Sequence, residues 1–202
     1  MGHYKNEEIM ETKTEEKVTK FKVEDLDVVL IDYRVGQGKI MIAGNGVSGS
    51  YFWGAMGGRL VDFISRIDVN YFSKNVLGDL YVFCGKTSAK NVRAYFRQNW
   101  SWYKDVEFSK ELARVLQSAA GTRDEYDFER VIRGLLLESP EDDDVAEHIG
   151  YVTDYWYEFI GRKDSREYRY IQKIFPKLQR HCRMVACNEL IEYISTLGRR
   201  FF

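Results

Sequence analysis

Asp27-Val28-Val29-Leu30-Ile31-Asp32-Tyr33-Arg34-Val35, then Gly36-Gln37-Gly38, then Lys39-Ile40-Met41-Ile42-Ala43, then Gly44-Asn45-Gly46 is a pattern of two apolar runs, each closed by turn residues. The runs are rich in Val, Ile, Leu and Tyr, which suit a pleated, half-buried surface. Asn-Gly is a strong hairpin signal, because both residues tolerate positive φ. Ser50 to Met56 reads as a third strand ending at Gly57-Gly58, and the three form an antiparallel meander.

Arg59 to Val76 changes period. Leu60, Phe63, Ile64, Ile67, Tyr71 and Phe72 recur at three- and four-residue spacing, which predicts one helix closed by Gly78. Leu80 to Cys84 is a candidate fourth strand. Beyond it, helices are predicted over Ser88 to Gln98, Phe108 to Ala119, Arg123 to Leu137, Glu141 to Ile160 and Ser165 to Leu197, with Pro176 breaking or restarting the last. The fold class is therefore α+β: an N-terminal meander of three to four strands packed with one helix, followed by a C-terminal helical region. The expected organisation is a flexible charged arm over 1–24, an α+β domain over 25–120 and a helical domain or subdomain over 121–202, divided near Ala120-Gly121-Thr122.

Composition narrows the function. A net charge of -1 gives no bulk attraction to nucleic acid, so any basic surface is local. Aromatics make up 15% of the residues, a density that suits a packed core with a recognition surface attached. Cys84, Cys182 and Cys187 are an odd number without framework spacing, which reads as free thiols in a reducing compartment. Met1 to Lys22 lacks the apolar core of a secretory signal, and Asn6 stands where a myristoylation site wants Ser or Thr. No apolar run approaches the roughly 20 residues that span a bilayer.

Catalytic and cofactor motifs fail on inspection. Gly44-Asn45-Gly46-Val47-Ser48-Gly49 has the three spaced glycines of a dinucleotide loop, but Ser50-Tyr51-Phe52-Trp53 favours a strand where a helix is needed. Gly85-Lys86-Thr87 has the ending of a phosphate-binding loop, yet Leu80 stands where the first glycine belongs. His181, Cys182 and Cys187 are close in sequence, but thiols five apart on a helix point roughly 140° apart. Asp142-Asp143-Asp144 opens a helix, where acids complement the dipole. The expectation is no cofactor, no metal and no catalytic residue.

Two features survive. Arg162, Arg166, Arg169, Lys173, Lys177 and Arg180 fall within an arc of roughly 80° on a continuous helix, with Ile171, Ile174, Phe175, Leu178, Cys182 and Val185 opposite. Crowded like charges cost stability unless something negative meets them, either nearby acids such as Glu167 and the Asp142 cluster or a partner. The second feature is an aromatic and basic block from Arg93 to Lys104, with Arg93, Arg97, Tyr95, Phe96, Trp100, Trp102 and Tyr103. It suits either core packing or contact with bases or a protein.

The segment Gly49-Ser50-Tyr51-Phe52-Trp53-Gly54-Ala55-Met56-Gly57-Gly58, followed by Leu60 to Leu77 with Tyr71-Phe72, resembles a block in small proteins of bacteriophages and prophages. The resemblance covers Gly38 to Gly78. It implies a phage origin and a bacterial host cytoplasm, and it implies no activity. With it, the leading expectation is a non-enzymatic phage accessory protein that binds a host or phage protein, an inhibitor of bacterial defence of the anti-CRISPR type. The alternatives are a nucleic-acid-binding protein using the basic stripe and a metal-dependent, nuclease-like enzyme. No membrane partner is expected.

Overall fold

The computed structural model describes residues 16–99, 106–135 and 143–198. In chain order these form strands β1 (Lys17–Val23), β2 (Leu26–Arg34), β3 (Gln37–Gly44) and β4 (Val47–Trp53), helices α1 (Leu60–Ile64) and α2 (Val69–Leu77), and strand β5 (Tyr81–Phe83). Helices α3 (Gly85–Asn99), α4 (Val106–Ala120), α5 (Glu125–Arg133) and α6 (Asp143–Asp154) follow. A 3-10 turn over Trp156–Phe159, strand β6 (Arg162–Asp164) and helix α7 (Arg166–Gly198) complete the chain. The fold is α+β, as the strand and helix periods require.

The chain divides into two compact units. The first joins residues 1–80 to 166–202. Its sheet is an antiparallel meander in the order β1-β2-β3-β4. Register places Val28 opposite Ile42 and Leu30 opposite Ile40, so the inward face presents an unbroken apolar layer. Leu60, Ile64 and Phe72 from α1 and α2, and Ile171, Ile174, Phe175 and Leu178 from α7, close one core over that layer. Each such side chain, fully buried, contributes on the order of 1.5–3 kcal/mol. The β3–β4 hairpin turns through Asn45 at φ 49, as the Asn-Gly signal predicts.

Four expectations need correction here. Residues 17–23 are not part of a flexible arm but form β1, paired with β2 from Lys17↔Asp32 to Val23↔Leu26. The segment Lys-Val-Thr-Lys-Phe-Lys-Val makes an edge strand, and lysines suit an edge because their charge opposes pairing with another chain. The single helix expected over Arg59 to Val76 is two. The Asp68 carboxylate accepts from the Asn70 and Tyr71 amides at 2.9 Å each, which starts a fresh helix. The candidate fourth strand does not extend the meander; β5 pairs antiparallel with β6 instead. Pro176 does not break the last helix, which runs through it. Proline lacks an amide and costs about 3 kcal/mol in a helix interior. Here it is exposed, while Ile171, Ile174, Phe175, Leu178 and Cys182 are buried on both sides of it and hold the axis in place.

The second unit is residues 81–165, so neither unit boundary falls at the Ala120-Gly121-Thr122 turn. Its core joins Val92 and Phe96 of α3, Leu112 and Leu116 of α4, Phe128 and Ile132 of α5, Ile149 and Val152 of α6, and Phe159. The Asp124 carboxylate caps α5 by accepting from the Asp127 amide at 2.8 Å.

Candidate interaction surface

α7 shows why its sequence is two-sided. Ile171, Ile174, Phe175, Leu178 and Cys182 are at most 2% exposed in the first unit's core. The opposite face therefore points outward, and Arg166, Arg169, Lys173, Lys177 and Arg180 on it are all exposed. Lys177 is neutralised by a hydrogen-bonded ion pair with Glu24. That bond, and then the charges of Lys177 and Lys173, hold the Glu24 carboxyl below its usual range. Arg166, Arg169, Lys173 and Arg180 make no ion pair among the described residues, and Glu167 neutralises none of them. Asp142 lies outside the described residues.

Arg162 does not belong to this face. It stands on β6 in the second unit, where it donates to Glu125 at 3.4 Å. A spacing of four residues suggested helix, but the chain is extended there and α7 begins only at Arg166.

The aromatic block splits as well. Phe96 is 1% exposed in the second core. Tyr95 is half-buried, stacked on Tyr151 with centroids 5.2 Å apart, and its hydroxyl bonds His148 Nδ1 at 3.0 Å. Burial, followed by the charge of Glu147, raises its phenol above the ordinary value. These two rings are core. Trp100 and Trp102 lie outside the described residues. Arg93 and Arg97 are exposed on α3, and Lys86 and Lys90 join them. The four follow at i, i+4, i+7 and i+11, within an arc of roughly 60°. This second basic stripe was visible in the spacing but was obscured by the nearby tryptophans.

Other clusters are self-contained. A cavity of about 610 Å³ is lined by Lys17, Arg59, Asp62, Cys187, Glu189 and Tyr193. Its charges neutralise one another: Glu189 bridges Lys17 at 2.7 Å and Arg59, while Asp32 accepts the Leu60 amide at 2.8 Å. This network ties α7 to the sheet. Burial, then the neighbouring Arg59, lowers the Lys17 ammonium below its usual value. His181 stacks on Phe21 with centroids 4.2 Å apart, away from any ligand set. Among the described residues no group of three His, Cys, Asp or Glu side chains could hold a metal ion, and no helix is long and apolar enough to cross a membrane.

Nothing among curated proteins or solved structures matches the chain. The sequence model of a phage family matches residues 10–184. That span extends well past the Gly38 to Gly78 block on both sides, and it takes in the second unit and the cationic part of α7. The chain thus belongs to this phage family.

Proposed function

We propose that this phage protein is a non-enzymatic accessory protein that binds a host or phage protein, with the outward face of α7 as its docking surface. The observation that supports this most is the exposed set Arg166, Arg169, Lys173 and Arg180, carried on one continuous helix and making no ion pair among the described residues. An acidic protein surface would relieve their mutual repulsion and fix orientation. The proposed target is a component of bacterial defence, in the manner of an anti-CRISPR protein, met in the cytoplasm of the host. A pull-down from host lysate tests this: the wild-type chain retains a protein stoichiometrically, and the variant Arg166→Glu, Arg169→Glu, Lys173→Glu does not. Equal retention by both, or by neither, overturns the reading.

A second reading is nucleic-acid binding, favoured by Lys86, Lys90, Arg93 and Arg97 along α3. It predicts affinity that falls with salt at a log–log slope of about -0.9 per phosphate neutralised on duplex DNA. A gel shift that persists unchanged from low to physiological salt, or none at low salt, dismisses it.

A further inference from the structure

Beside the first turn of α3 lies a cavity of about 430 Å³, wholly within the second unit. Lys86 comes from α3, Arg123 from the turn before α5, and Lys163 from β6, and all three line it. No carboxylate lines it, and none of the three cations makes an ion pair among the described residues. The acids that follow Arg123 are engaged elsewhere: Asp124 caps α5, and Glu125, the first residue of α5, pairs with Arg162. Three like charges on one concave wall focus a positive field that only an anion relieves.

We propose that this cavity is a phosphate-binding pocket, in which Lys86, Arg123 and Lys163 hold the phosphate group of a small phosphorylated molecule or of a nucleic-acid end. Arg123 can meet two phosphate oxygens at once, and the lysines act as point charges. The cations thereby supply what the Gly85-Lys86-Thr87 sequence lacks as a loop. Their segments are pinned together. A side chain at Gly85 would place its Cβ 2.7 Å from the Ala119 carbonyl and 2.8 Å from that of Thr122. The Gly161 amide donates to Ser88 Oγ at 2.8 Å, and the Cys84 amide donates to the Gly161 carbonyl at 2.8 Å. The pocket also continues along α3: a neighbouring cavity of about 530 Å³ shares Lys86 and Ala120 and adds Lys90 and Arg93.

Cys84 lines the pocket and reports on it. Hydrogen bonds from the Thr87 side chain and amide, and the charge of Lys163, hold its thiol below the ordinary range. A seated phosphate shields the sulfur and offsets Lys163, so both effects slow its alkylation.

The test is iodoacetamide labelling of the full chain, read at each cysteine by mass spectrometry, with and without inorganic phosphate at matched ionic strength. Saturating phosphate slows Cys84 alkylation roughly tenfold at about ten times its dissociation constant and leaves Cys187 unchanged. Protection disappears in Lys86→Gln, Arg123→Gln, Lys163→Gln, whose fold is checked by circular dichroism. A second arm compares a 5′-phosphorylated oligonucleotide with its unphosphorylated form. Protection by the phosphorylated form at lower concentration than free phosphate assigns a nucleic-acid end, and protection by inorganic phosphate alone assigns a small phosphorylated molecule. Wild-type alkylation that ignores phosphate, or slows equally at Cys84 and Cys187, overturns the pocket. The residues differ from those of the α7 face, so this result and the docking test fail independently.

Discussion

At the scale of single residues, Cys182 shows how burial sets chemistry. It has no exposed surface, and burial, with a smaller push from Asp62, raises its thiol from an ordinary 9.0 to about 12. The unfolded thiol loses its proton first as the pH rises. Stability is therefore full below pH 9 and is lost as pH climbs from 9 towards 12, by up to about 1.4 kcal/mol per pH unit. Cys182→Ala costs about 1 kcal/mol at neutral pH from the void it leaves, yet has a flatter alkaline limb, measured by urea unfolding across pH. An equal alkaline slope in both proteins refutes the assignment. Asp68 is a second case. Asp68→Ala removes the acceptor for two amides of α2 and lowers stability by about 1 kcal/mol in the same assay. Its capping role was legible only in part. An aspartate before a helix is a start signal, but here the apolar stripe ran through it unbroken and hid the break. Arg162 shows the reverse failure, since cation spacing continued one step beyond the helix that produced it.

At the scale of elements, packing overrides propensity. α7 runs through Pro176 as one continuous helix because the core on its other face holds residues on both sides of the proline. Pro176→Ala restores a helical amide and raises stability by roughly 1–3 kcal/mol, seen as a higher urea midpoint. A drop in that midpoint contradicts the view that the proline is merely tolerated. Although β4 was read three residues late, at Ser50 to Met56 where the strand is Val47–Trp53, β2, β3 and β4 were legible from period and turn chemistry. β1 was not, since averaging residues 1–24 buried a local alternation of Phe21 and Val23 under lysines and acids. β5 was read as a strand, within Leu80 to Cys84, but β6 and the pairing of the two were not legible, for another reason. Each has three residues, too few to show a period, and their pairing joins residues far apart in sequence.

For the whole molecule, the division into units could not be read along the chain. α7 returns from the end of the sequence to complete the core of the first unit, while residues 81–165 form an inserted second core. Linear composition has no means of signalling such a return. Charge, by contrast, was partly legible: a net -1 hides two exposed cationic stripes, one per unit, whose counterparts in acid lie elsewhere in the chain. Apart from Lys177, which pairs with Glu24, the cations of both stripes make no ion pair among the described residues, which is the property a docking surface needs.

Amine-reactive footprinting of Lys173 in buffer and in host lysate tests the docking face without knowledge of the target. Lys173 becomes strongly protected in lysate, while Lys22, beside Asp27 on the sheet, keeps its reactivity. Identical labelling of Lys173 in the two conditions would contradict the claim that α7 meets a partner there.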